Sequence, residues 1–131
     1  MKILLVDDSQ YTLAALSNML NQAGHQVVAC PSVEDAMREF SATTFDLLIT
    51  DIMMKDLNQD GTKMAQFVKR KDAKFPVIAI TSGLEFDRSK YIDYVNKFVD
   101  ETLLKGFSKE ALIDAINRVM AKKAKDSSGF K

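Results

Sequence analysis

Along the 131 residues, apolar positions fall into short unbroken runs, separated by stretches in which they recur every third or fourth residue. The runs are Ile3 to Val6, Gln26 to Cys30, the stretch from Phe45 that ends on Asp51, Val77 to Ile80, and Thr102 to Leu104. Runs of this length without polar alternation predict strands buried on both faces, as in the middle of a parallel sheet. Between them, Leu13, Leu16, Leu20 and Ala23 trace a helical stripe from Ser9 that Gly24 stops. Ser32-Val33-Glu34-Asp35 resembles a capping box with Asp in place of Glu, and it opens a helix carrying Val33, Ala36, Met37 and Phe40. Met64, Phe67 and Val68 mark a third helix, Asp87 to Phe98 a weaker fourth, and Leu112, Ile116, Val119 and Met120 a fifth that starts at Ser108.

Five strands alternating with five helices imply parallel βαβ units with right-handed crossovers and helices on both faces. The expected fold is α/β: a flavodoxin-like, doubly wound five-stranded parallel sheet of order 2-1-3-4-5. The length suits one domain, expected over 1–124, and the basic then small and polar end predicts a loose tail over 125–131. Eighteen basic and eighteen acidic residues cancel, which gives no general affinity for nucleic acid or anionic membrane. The apolar run at the N-terminus stops at Asp7-Asp8, too short for a signal peptide, and no segment approaches membrane-spanning length. The single cysteine, Cys30, follows Val27-Val28-Ala29 and reads as core; a chain without paired cysteines suits a reducing compartment, so a cytoplasmic protein is expected.

The chemistry gathers where the strands end. The first ends on Asp7-Asp8, the third on Asp51, the fourth on Thr81-Ser82-Gly83 and the fifth on Lys105-Gly106. Taken alone, Asp51 suits a turn cap as well as a reactive acid. In the expected strand order, however, all these residues share the carboxyl edge of the sheet, where ligands bind in open α/β folds. Carboxylates brought together repel; at an effective dielectric of about 20, a like-charged pair at 4 Å costs roughly 4 kcal/mol. A cation among them relieves this, and hard oxygen ligands favour Mg²⁺, which keeps positions open for water and phosphate oxygens. A carboxylate can itself attack phosphorus to give an aspartyl phosphate. The Lys105 ammonium could then neutralise phosphoryl oxygens while the Thr81 hydroxyl donates to one of them.

This set, in order and at this spacing, resembles the response-regulator receiver domains of bacterial two-component signalling, and among them the small single-domain, chemotaxis-type regulators. The resemblance implies that Asp51 accepts a phosphoryl group from a sensor histidine kinase or a phosphotransfer protein. It implies that Asp8 and Asp51 bind Mg²⁺ with the backbone carbonyl of Met53, Asp7 helping through water, and that Thr81 and Lys105 contact the phosphoryl group. The chain would catalyse only its own phosphorylation and dephosphorylation. A downstream effector protein would bind the face made by the fourth helix, fifth strand and fifth helix, with no nucleic acid and no membrane insertion involved. Two other readings remain: a flavodoxin-like binding module without phosphorylation, and an aspartyl-phosphate phosphohydrolase. The second lacks the Asp-x-Asp-x-Thr arrangement usual on the first strand of those enzymes.

Some positions depart from the family pattern. Gly106 stands where the family has proline after the lysine, commonly joined by a cis bond; without proline a trans Lys105–Gly106 bond is expected, or strain. Thr102 replaces the usual aromatic of the fifth strand, so the coupled movement of threonine and ring cannot run as usual unless Tyr91 or Tyr94 supplies the ring. Lys55 replaces a proline, and the loop from Asp51 to Gly61 is two residues longer than the family norm.

Overall fold

The computed structural model describes residues 1–52, 61–82 and 96–128. Its strands are β1 (Lys2–Val6), β2 (Gln26–Cys30), β3 (Leu47–Asp51), β4 (Val77–Thr81) and β5 (Glu101–Leu104). They form one sheet in the order β2-β1-β3-β4-β5, and every pairing is parallel. The order expected from the alternation of elements therefore holds. Four helices lie among the described residues: α1 (Gln10–Gln22), α2 (Val33–Ala42), α3 (Gly61–Lys71) and α4 (Lys109–Ser128).

The unbroken apolar runs of β1, β3 and β4 are explained by two separate cores, one on each face of the sheet, whereas β2 and β5, expected to be buried as well, are only partly buried because they form the sheet's edges. Leu4, Val6, Leu48, Val77 and Ala79 pack with Val33, Ala36, Met64 and Val68 of α2 and α3. Their alternates Ile3, Leu5, Leu47, Ile49, Ile78 and Ile80 pack with Leu13, Leu16, Leu20, Leu112 and Ile116 of α1 and α4. Each fully buried aliphatic side chain contributes about 1.5–3 kcal/mol, so both faces of the central strands must be apolar. Apart from Lys2 at the half-buried start of β1, polar residues are kept out of β1, β3 and β4 until the strands reach their carboxyl ends.

The helix signals act as expected, with adjustments. Ser9 caps α1, accepting from the Thr12 amide at 3.2 Å, and Gly24 ends it with φ at 92°. The Ser32 hydroxyl accepts from the Asp35 amide at 3.1 Å, and the Asp35 carboxylate pairs with Arg38. The final helix runs on through Ser128, past the boundary expected at 124. Ala121, Lys122, Lys123, Ala124 and Lys125 are good helix formers, and no glycine or proline interrupts the sequence between Ser108 and Gly129. The helix expected over Asp87 to Phe98 lies outside the described residues up to position 95; Asn96 to Phe98, expected as its last residues, form a turn that leads into β5.

At the amino end of the sheet, opposite the acidic edge, Asp100 holds three elements together. Its Oδ2 accepts from the Val77 amide at 2.9 Å and from Lys69 Nζ at 2.8 Å, while its own amide donates to the Val77 carbonyl at 2.9 Å. Lys69 also donates to the Phe75 carbonyl at 2.6 Å, so the end of α3 is fastened to the starts of β4 and β5. Replacing Asp100 with alanine leaves a largely buried ammonium and an amide without this acceptor, and is expected to cost about 2–4 kcal/mol in urea denaturation. A loss below about 0.5 kcal/mol, the worth of an exposed pair, would contradict this role.

Candidate functional site

The carboxyl edge of the sheet brings together five of the residues singled out from the sequence. Val6 pairs with Thr50 in the β1–β3 register, so Asp7 and Asp51 follow at the same level on neighbouring strands. Asp51 pairs with Ile80, which puts Thr81 one residue further along β4, and Thr81 in turn pairs with Leu104, just before Lys105. The Lys105 amide donates to the Thr81 carbonyl at 2.8 Å, which fixes where the lysine leaves the sheet. Asp7 is wholly buried, Asp51 and Thr81 are each 2% exposed, and Asp8 is half-buried.

Carboxylate oxygens of Asp7, Asp8 and Asp51 lie within 4.8 Å of one another. Lys105 reaches across this cluster, its Nζ 3.0 Å from Asp7 Oδ2 and 3.0 Å from Asp51 Oδ2. Burial pulls the Lys105 pKa down, but the hydrogen bond to Asp51 and the charges of Asp51 and Asp7 outweigh it, and the net shift is upward from 10.5. The ammonium is thus the cation that lets two buried carboxylates stand side by side. The Asp51 oxygen accepts a directed hydrogen bond from it, whereas the Asp7 contact is an ion pair. Asp7 Oδ2 is buried and has no hydrogen bond of good geometry.

That oxygen, paired with Lys105 but without a directed hydrogen bond, and the two neighbouring carboxylates suit a small hard cation, and all the donors here are oxygens. Receiver domains generally bind Mg²⁺ at such an acidic pocket. Met53, whose carbonyl was expected to complete the set, lies outside the described residues, as do Lys55 and the rest of its loop up to Asp60.

Several supporting groups were not singled out from the sequence. The Ser9 amide donates to Asp7 Oδ1 at 2.8 Å, and the Asp7 amide donates to the Cys30 carbonyl at 3.2 Å, so both ends of Asp7 are held. Ser9 could be read as a helix cap, but not as a tether for Asp7, because that depends on how the turn after β1 folds back. Cys30 itself is core, as expected, and burial pushes its thiol up to about 11, so it remains protonated and inert. Thr50 and Gly61 crowd the Asp51 main chain, a contact that only the three-dimensional packing reveals.

At the two departures next to the lysine, the chain takes its own course. The Lys105–Gly106 bond is trans, as expected without proline, and Gly106 has φ at 100°. A Cβ at Gly106 would meet nothing within 4 Å, so glycine is needed there for its backbone conformation and not for space. On β5 the Thr102 hydroxyl is 3.3 Å from Asn96 Oδ1, and Tyr91 and Tyr94 lie outside the described residues.

This fold and this edge define a receiver domain. The sequence matches the family model described as the response regulator receiver domain over residues 3–117, and the chain belongs to that family. It is 30% identical to the response regulator protein FleR of Pseudomonas aeruginosa over 89% of its own length and 24% of that protein. It is also 30% identical to the transcriptional regulatory protein RprY of Bacteroides fragilis, over 100% of its length and 56% of that protein. The chain thus spans only part of these curated relatives. Among solved structures, a response regulator receiver domain protein from Clostridium thermocellum superposes with a TM-score of 0.81 at 26% identity, over 94% of this chain and 96% of that one. Receiver domains are signalling modules of two-component systems rather than conventional enzymes. No helix among the described residues is long and apolar enough to cross a membrane.

The bridging lysine makes a pH-dependent contribution with a definite sign. Because its folded pKa is raised above 10.5, the stabilisation is fully present below that value and is lost as pH rises through the folded one. In denaturant melts without divalent cations, Lys105→Met should be less stable than the parent near neutral pH. The difference between the two should shrink above about pH 10.5. A difference that stayed constant into strong alkali would contradict the bridge.

Proposed function

We propose that Asp51 accepts a phosphoryl group from the phosphohistidine of a sensor histidine kinase or a phosphotransfer protein, in a Mg²⁺-dependent reaction. The observation that carries this reading is the Lys105 ammonium held 3.0 Å from both Asp7 and Asp51, with Asp8 beside them at the carboxyl edge. One Asp51 oxygen attacks phosphorus. The new P–O bond forms as the donor's P–N bond breaks, and the electron pair of that bond stays on the imidazole nitrogen. Lys105 then turns from the carboxylates to the phosphoryl oxygens, and the Thr81 hydroxyl donates to one of them. Asp8 and Asp51, with Asp7 and the Met53 carbonyl, would hold Mg²⁺, which when bound would supply the remaining neutralisation of negative charge. Later attack by water on phosphorus returns Asp51 to its free carboxylate, so the chain catalyses its own phosphorylation and dephosphorylation and no other reaction.

An apolar groove formed by Tyr11, Ala15, Leu16 and Met19 of α1 with Phe107 runs up to Lys105. Tyr11 is 84% exposed at its rim, a surface suited to the helix of a phosphodonor. Phosphorylation adds a charge of about −1.5 to −2, by analogy with other phosphorylated side chains. Lys105 and Thr81 transmit it to β5, and an effector protein binds the face made by β5, α4 and the segment before β5. Leu104, 41% exposed on β5, gives that face an apolar contact. The chain works in the cytoplasm, without nucleic acid or membrane as a partner.

Incubation with acetyl phosphate and Mg²⁺ should add one phosphoryl group to the intact mass, and Asp51→Asn should abolish the gain. An unchanged mass in the parent protein, or an equal gain in Asp51→Asn, would contradict the assignment.

A further inference from the structure

Beneath the acidic edge, two groups converge on a single main-chain atom, the carbonyl oxygen of Asp51. The Thr50 hydroxyl donates to it at 3.0 Å. Gly61, the first residue of α3, approaches so closely that a Cβ there would stand 1.8 Å from the same oxygen and 2.5 Å from the Thr50 hydroxyl. Gly61 does not have a positive φ, so glycine is required at this position by space alone. Thr50 is wholly buried and lies between Val6 and Ala79 in the sheet, on the face that packs against α3. The neighbouring Ile52 amide donates to the Ile80 carbonyl at 3.1 Å, so the peptide that follows Asp51 is gripped from the β4 side as well.

We propose that Thr50 is a positioning residue for the phosphoacceptor, and that the bare α carbon of Gly61 is what lets α3 seat against the same carbonyl. The hydroxyl fixes the orientation of the Asp51–Ile52 peptide, and the helix start closes over it. Asp51 therefore presents its carboxylate to Lys105 from a main chain that cannot rotate. The inference rests on the reading of Asp51 as the phosphoryl acceptor. It goes beyond that reading by assigning a function to a residue that touches neither metal nor phosphoryl group.

Two substitutions separate this role from simple core filling, because the two accounts order them oppositely. Thr50→Val keeps the shape and removes the hydroxyl; Thr50→Ser keeps the hydroxyl and removes the methyl group. Positioning predicts that Thr50→Val lowers the limiting rate of Asp51 phosphorylation by acetyl phosphate about three- to tenfold, the factor one hydrogen bond supplies, with the half-saturating concentration unchanged. It predicts that Thr50→Ser reacts like the parent. Core filling predicts the reverse, with Thr50→Val at the parent rate and Thr50→Ser impaired. A second readout needs neither Mg²⁺ nor phosphate: amide hydrogen exchange at Ile52 and in the first turn of α3 should quicken in Thr50→Val, while exchange at Leu48 stays the same. Parental rates and exchange in Thr50→Val would overturn the inference while leaving Asp51 as acceptor. A parent protein that takes up no phosphoryl group would instead overturn the functional reading, and the positioning role with it.

Discussion

The contact on which the rest of the molecule depends is an ammonium between two buried carboxylates. Asp7 and Asp51 end adjacent parallel strands at the same level, which forces their buried charges together. Lys105, arriving from the other side of β4, sits 3.0 Å from each. The strand order makes this possible. With β3 and β4 between β1 and β5, a lysine that leaves β5 can reach acids on β1 and β3 only by extending along the carboxyl edge. The arrangement is held but incompletely satisfied. Asp7 Oδ2 has an ion pair and no directed hydrogen bond, so the edge is poised to take further positive charge and to exchange the lysine's partners.

The remainder of the fold keeps that edge rigid. Both faces of β3 and β4 are covered by aliphatic cores, so the strands cannot slide without exposing one of them. At the far end, Asp100 ties α3, β4 and β5 together; at the near end, α3 begins directly on the Asp51 carbonyl. Helix α3 is therefore anchored at both ends.

Much of this was legible in the sequence, for a physical reason. Strands buried on two faces write themselves as unbroken apolar runs, and the first polar residue after each run marks the sheet edge. That is why Asp7, Asp8, Asp51, Thr81 and Lys105 fall together at the sheet edge when the sequence alone is read. What was not legible depends on register and close packing: the sharing of Lys105 between two acids, the Ser9 tether and the crowding of Thr50 and Gly61 against one carbonyl. That α4 runs on to Ser128 was not legible, because a basic, alanine-containing stretch reads equally well as a solvated helix or as a tail. The turn at Asn96 to Phe98 was misread because Phe98 stands at helical spacing from Tyr91, Ile92 and Val95 in the sequence.

In the proposed function the bridge is also the switch: Lys105 leaves the carboxylates when a phosphoryl group arrives. A structure of the protein with Mg²⁺ and beryllofluoride, which mimics the phosphoryl group, tests this directly. The account predicts a beryllofluoride bonded to an Asp51 oxygen, Mg²⁺ at about 2.0–2.1 Å from Asp8 and Asp51 oxygens, and Lys105 Nζ moved from Asp7 to a fluorine. A Lys105 that stayed in contact with Asp7 beside a bound beryllofluoride, or a beryllofluoride on any other carboxylate, would contradict it.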